Sequence, residues 1–443
     1  AGNSWTQLTN GLPSSNFGRT ALAISPINPS VIYAGVTDAS SYQTTGLYRT
    51  SDGGATWAVV STQDYVGVQG WYNNVVVVDP RSTDTVFCSG YSIYESTNGG
   101  SNLSPISSSD VHVDHHAIAF DPTNPNVMYF GSDGGIWKST DGGSTYIDVN
   151  NSYVTTQFYP GLAVYPLDSV TTLGGLQDNG TLSYYGNPNW AQVYYNDGGW
   201  CAIDPTNKNN MYAESQYGDI EKSTNGGLTF GSITNGLPSS SSDWNFLSPF
   251  VLSPSNPNVL YAGSSNVYKT TNGGSVWFSS NGNSSLNGTN ISCIGVSWTN
   301  PDTIIAGTGN GALGVTPTFA VFRSTNGGVF WTNVSDSLPN RYPTDIEFDP
   351  TNSAIAYLTF SGYGKPHVYK SLNAGATWIN ITSNLPDIPH QSVTVDPANP
   401  QHVYVGTDLG VFHSSNGGGT WEEFNEGMPP AMVLDLTVSR SNG

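Results

Sequence analysis

Apolar and polar residues alternate along this chain in short runs that recur in a fixed order. Tyr48-Arg49-Thr50 and Val368-Tyr369-Lys370 alternate with period two, which predicts strands with one buried face. Each run leads into Ser/Thr-x-Asp/Asn-x-Gly-x-Thr and a closing aromatic, as in Thr50-x-Asp52-x-Gly54-x-Thr56-Trp57 and Ser414-x-Asn416-x-Gly418-x-Thr420-Trp421. Asp or Asn before two glycines is hairpin chemistry, because glycine accepts positive φ and the Asx side chain bonds its own backbone. Two further strands precede each turn, visible in ALAISPINPSVIYAG, PFVLSPSNPNVLYAG and SVTVDPANPQHVYVG. The predicted unit is a four-stranded antiparallel blade.

The turns begin at Thr50, Ser96, Ser139, Ser223, Thr270, Ser324, Ser371 and Ser414, spaced 43 to 54 residues apart except for one gap of 84. That gap predicts a hidden copy whose turn is lost, and nine units follow: 18–61, 62–107, 108–150, 151–195, 196–234, 235–281, 282–335, 336–383 and 384–425. Four strands at such a period predict blades that bury their faces against neighbours. The expected fold is all-β, a single large β-propeller of nine to ten blades over residues 1–443. Segments 1–12 and 426–443 are read as closing strands, with residues 4–8 resembling a fourth strand and 432–438 a first strand. Head-to-tail strand addition into a homopolymer is the alternative use of those termini.

Composition narrows the partners. Gly 51, Tyr 25 and Trp 12 with only 10% charged residues fit short strands and glycine turns. The formal charge of −20 argues against nucleic acid or an anionic membrane surface as partner. No apolar run is long enough to span a bilayer, and no leader is legible, so an exported chain would be seen here in mature form. Cys88, Cys201 and Cys293 lie in strand-like runs without metal-ligand spacing and read as buried thiols, with a bridge between one pair as the alternative.

The repeated turn resembles the Asp-box (BNR) repeat found in sialidases, in glycoside hydrolases of family 74 and in sortilin. The resemblance covers nearly the whole chain. It implies a propeller in which the boxes are scaffold on one face, while ligands bind on the opposite loop face.

On that loop face, units three to five place Asp110, His112, Asp114, His115, His116, Asp133, Gln177, Asp178, Asn179, Asn196, Asp197, Glu214 and Gln216. Carboxylates converging with histidines suit general acid and base chemistry, since like charges push one pKa up. Asp133, Asp178 and Asp197 are the catalytic candidates. Asp133 has counterparts in Asp38 and Asp408, which predicts turn capping, yet its GSDGG context resembles the catalytic aspartate loop of family 74. Asp178 and Asp197 recur nowhere else and sit beside glycines. His115 and His116 open a strand, so at most one can face a ligand. Asp114, His115, His116, Gln177, Asn179, Asn196 and Gln216 are the expected polar contacts. Trp71, Tyr72, Tyr195, Tyr217 and Trp244 are the expected stacking platforms for sugar rings, with loop packing as the competing role of such aromatics, Tyr65 and Tyr363 included.

A sialidase needs three arginines around its substrate carboxylate, and of the six here Arg49 and Arg323 precede box turns and Arg81 lies in a turn between first and second strands, on the wrong face. Family 74 fits better, although its two-lobed arrangement of catalytic aspartates needs more blades than this chain has. The expectation is a secreted, glycoside-hydrolase-like propeller acting on or binding a neutral polysaccharide, against a non-catalytic extracellular binding or structural protein. No cofactor is expected, and the aspartates lack the ligand spacing of a calcium loop.

Overall fold

The computed structural model describes residues 4–107, 111–151, 153, 156–168, 170–309, 318–364 and 366–439. They form nine four-stranded antiparallel sheets, each with its strands in chain order. The fold is of the β-propeller class. The blades span 17–61, 75–105, 115–148, 163–194, 201–232, 250–279, 291–333, 343–380 and 390–423. The fourth fills the long gap between Ser139 and Ser223 and turns through residues 186–190 without the box.

The chain divides into two compact units, Ala1–Thr156 with blades one to three and Gln157–Gly443 with blades four to nine. Within each, the core lies between successive blades. In the first unit, Tyr33 and Leu47 of blade one pack with Val76 and Cys88 of blade two, and Phe87 and Ile93 of blade two with Phe130 and Trp137 of blade three. In the second, Tyr212 packs with Phe250 and Trp277, Cys293 and Ile305 with Phe348 and Leu358, and Tyr357 with Val393 and Val405. Burying each such side chain contributes about 1.5–3 kcal/mol. A blade alone leaves both faces bare, so neighbours stabilise each other.

The repeated turn is a closed hydrogen-bond circuit. Thr50 Oγ1 donates to Asp52 Oδ1 at 2.7 Å and accepts from Gly54 N at 3.1 Å, and Asp52 accepts from Thr56 N and Oγ1 at 2.9 and 2.6 Å. The same bonds recur from Ser371 to Asn373 and Gly375, where the aspartate is an asparagine. Hydrogen-bond capacity, not charge, is what the turn requires. Lys222 donates to Gly273 O and Lys370 to Gly417 O, so scarce basic residues tie one blade to the next turn.

In the second unit, hydrogen bonds step from blade to blade near the first strands: Cys201 N to Gly161 O (2.9 Å), Ser248 N to Glu214 Oε1 (3.0 Å), Ile291 N to Ser264 O (2.8 Å), Ser292 Oγ to Pro343 O (2.8 Å) and Thr344 Oγ1 to His390 O (2.7 Å). The C-terminal segment completes the series. Val433 N donates to Thr407 O of blade nine at 2.9 Å, while Asp435 Oδ2 accepts from Gly161 N and Leu162 N, beside blade four, at 2.9 and 2.6 Å. Neither this segment nor residues 4–8 form a ladder strand, and Trp5 is 91% exposed. The C-terminal contact is made by single backbone bonds and one carboxylate instead.

Candidate functional site

In the first unit, the loop before Gly134 and Gly135 carries Asp133 beside side chains from elsewhere in the unit. Tyr72 Oη donates to its carboxylate, 3.0 and 3.1 Å from the two oxygens, and His116 Nε2 donates to Oδ1 at 2.8 Å. Tyr72 meets the His116 ring edge-on at 4.6 Å, and Trp71 lies 5.4 Å from Tyr72 with 61% of its surface exposed. The loop can close this tightly because a Cβ at Gly134 would sit 2.5 Å from the His112 side chain.

Turn capping, the role predicted for Asp133 by analogy, is not what it does. Asp38 caps its own turn by accepting from Ser40 N and Ser41 N, both at 2.8 Å, and Asp408 accepts from Gln391 Nε2. The Asp133 carboxylate is met by two side chains from other strands and loops. Asp114 lies behind it, at φ 62°, with Oδ1 accepting from Asn73 Nδ2 at 2.8 Å. Burial first, and the charge of Asp133 second, raise its carboxyl above the usual range.

His115 and His116 split as strand alternation requires. His116 reaches Asp133, whereas His115 is 1% exposed, and burial pushes its imidazole down to about 4. Tyr65 is buried and donates to Asn74 Oδ1 at 2.7 Å, so it packs and offers no face. Asp110 lies outside the described residues.

Asp178 and Asp197 belong to the second unit. Asp197 Oδ1 accepts from Asp178 N at 2.8 Å and Oδ2 from Gln216 Nε2, so its carboxylate holds the neighbouring loop in place. Asp178 and Asn196 take φ of 59° and 66°, a conformation that Asx residues tolerate best after glycine. Gln177 and Asn196 are exposed, and Asn179 Nδ2 donates to Gln177 O at 2.9 Å. Tyr195 is 71% exposed, and Tyr217 stands edge-on to Phe246 at 5.6 Å. Trp244 corrects its expected place as a platform: it is 5% exposed, and its indole donates to Pro238 O at 3.1 Å. Glu214 is fully buried and accepts from Trp200 N and Ser248 N; burial pushes it up to about 8.

Three acidic side chains outside the expected set, Asp345, Glu347 and Asp435, line a cavity of about 300 Å3 among the first strands of the second unit, with Trp200 and Trp298 in its wall. Asp345 Oδ2 accepts from Val393 N at 2.9 Å, and Asp435 accepts from Gly161 and Leu162. Asp345 and Asp435 both lie in the wall of this cavity. Burial, helped at Asp345 by the charge of Asp435, raises them to about 7 and about 6. The signal for them is a charged residue interrupting TDIEFDP and VLDLTV at strand-core positions. Among the described residues, no three His, Cys, Asp or Glu side chains are grouped so as to hold a metal ion.

No protein-family model matches the chain. A curated xyloglucanase of Hypocrea jecorina (strain QM6a) is 28% identical over 169 residues, 36% of this chain; the match spans 16% of that relative's length. Among solved structures, a family 74 glycoside hydrolase (GH74) of Niastella koreensis is 17% identical, with 92% of this chain and 71% of that one covered, at a TM-score of 0.27. The GH74 xyloglucanase of Xanthomonas campestris is 16% identical, covering 97% and 70%, at 0.31. YCF48 of Cyanidioschyzon merolae is 14% identical, covering 93% and 99%, at 0.27. The chain thus resembles family 74 in sequence over part of its length, and scores this low carry nothing about activity.

Proposed function

We propose that the protein is carbohydrate-active, glycoside-hydrolase-like and secreted, acting on a neutral polysaccharide of the β-glucan type at the loop face. The observation that carries this reading is Asp133, a carboxylate oriented by Tyr72 and His116 with the exposed Trp71 alongside. A carboxylate fixed by two donors is pre-organised to exchange a proton with a glycosidic oxygen or a water, and the indole offers an apolar face to the C–H side of a sugar ring. The partial likeness to a xyloglucanase supports the substrate class.

Within the second unit, Asp178 is the carboxylate we assign to substrate, with Asp197 a positioning residue that holds the Asp178 amide. Gln177, Asn196, Tyr195 and Tyr217 are the contacts proposed beside it. The competing reading keeps the sugar and drops the chemistry. Incubation with a panel of β-glucans, following both retention and new reducing ends, separates them: retention without cleavage leaves a binding protein, and neither outcome on any glycan overturns the carbohydrate reading.

A further inference from the structure

Away from these clusters, at the loop end of blade eight, Asp387 is held by a relay that begins at Arg341. Arg341 Nη1 lies 3.2 Å from His367 Nδ1, and a guanidinium only donates, so Nδ1 is the acceptor and the ring hydrogen sits on Nε2. That nitrogen donates to Asp387 Oδ1 at 2.8 Å, and Gly364 N donates to the same oxygen at 2.7 Å. The ring cannot turn freely: His390 stacks on it with centroids 4.9 Å apart and planes 15° apart. The His367 side chain is 0% exposed and that of Asp387 is 49% exposed. Burial holds the imidazole below its usual range, hence neutral, and the bond from His367 holds the Asp387 carboxyl below its own, hence charged.

The same arginine anchors an aromatic platform. Arg341 Nη1 also donates to Tyr363 O at 3.3 Å, and Tyr363, between Gly362 and Gly364 at φ 85° and 90°, is 72% exposed. A tyrosine ring and a carboxylate oxygen are thus set at the surface by one partly buried arginine. Among the described residues, Asp387 Oδ1 takes both bonds, which leaves Oδ2 for a donor from outside. Arg341 balances the charge of Asp387, so the pair favours a neutral polyhydroxyl ligand over a cation.

We propose that Tyr363 and Asp387 form a sugar-binding subsite of the second unit, Tyr363 lying against the C–H face of a pyranose and Asp387 Oδ2 accepting from a ring hydroxyl. This rests on the carbohydrate reading above and adds a second contact point for the polymer. Arg341 and His367 are positioning residues. They fix the carboxylate and touch no ligand.

The test is affinity electrophoresis of the full chain in gels containing xyloglucan, for wild type, Tyr363→Ala, Asp387→Asn and His367→Gln, with circular dichroism to show that each is folded. Tyr363→Ala and Asp387→Asn weaken retention roughly tenfold, the order expected for one stacking contact or one charge-assisted hydrogen bond. His367→Gln keeps an N–H donor for Asp387 and stays near wild type. Retention also weakens in acid as Asp387 takes up its proton, and Asp387→Asn removes that component. Wild-type retention left unchanged by both Tyr363→Ala and Asp387→Asn overturns the subsite and leaves the carbohydrate reading standing. Failure of wild type to be retained overturns both.

Discussion

The Tyr72 hydroxyl spans both oxygens of Asp133, 3.0 Å from one and 3.1 Å from the other. A single donor so placed fixes the plane of the carboxylate, and His116 then fixes which oxygen is occupied. Tyr72→Phe removes the donor and keeps the ring that packs on His116. With Asp133 as the reacting carboxylate, kcat/KM for polysaccharide falls roughly tenfold, and stability falls too, since a hydrogen bond to a charged group contributes about 1.5–3 kcal/mol to it. An unchanged kcat/KM would show that the orientation of Asp133 does not matter to function.

The repeated turn is a stability element. Thr50 is 2% exposed and accepts from Gly54 N while donating to Asp52. Thr50→Ala leaves a buried amide without its partner, at a cost of about 1–3 kcal/mol. Urea unfolding followed by tryptophan fluorescence would register this as a lower midpoint, with hydrolysis retained under native conditions.

Strongly shifted buried groups of the two units make contributions of opposite pH dependence. His115 in the first unit is depressed to about 4 by burial, so its contribution is complete above the unfolded histidine value and is lost as pH falls through about 4. Asp345 and Asp435 in the second are raised to about 7 and about 6, so their contribution is complete below the unfolded carboxylate value and is lost as pH rises through 6 to 7. Limited proteolysis of the full chain at pH 5 and pH 8, with cleavage sites mapped, should show residues 1–156 more susceptible at the lower pH and 157–443 at the higher. Asp345→Asn should reduce the second trend, with Asp435 and Glu214, the latter raised to about 8, carrying the remainder. The same sign in both units would refute the assignment.

The C-terminal segment is held by the Asp435 carboxylate together with the bond from Val433 N to Thr407 O. Asp435→Ala removes the acceptor for Gly161 and Leu162, so amide exchange at those two residues and across 432–438 should accelerate while blade cores such as Leu358 stay protected. Unchanged protection would mean that the Val433 bond and apolar packing seat the segment without it.

Much of this architecture was legible because its signals are local. The Thr50-to-Trp57 pattern is a turn, a buried hydroxyl and an anchoring aromatic within eight residues, and its period located even the fourth blade, where the turn is missing. The partners of Asp133 were not legible. Tyr72 and His116 stand 61 and 17 residues away, and no periodicity says which rim side chains meet. Trp244 read as a rim aromatic because its loop is polar, but its indole finds Pro238 O and the ring turns inward. Asp345 lay outside the expected set, because the cavity its strand lines is built from blades far apart in sequence.

The central claim is that Asp133 is a reacting carboxylate on a sugar-binding face, and the most direct measurement is initial-rate release of reducing ends from xyloglucan by wild type and Asp133→Asn. The substitution keeps the size of the side chain and removes its capacity to carry charge or exchange a proton. The account predicts release by wild type and a loss of about 100- to 10,000-fold in the variant, with polymer retention preserved. Equal rates for the two chains would contradict it.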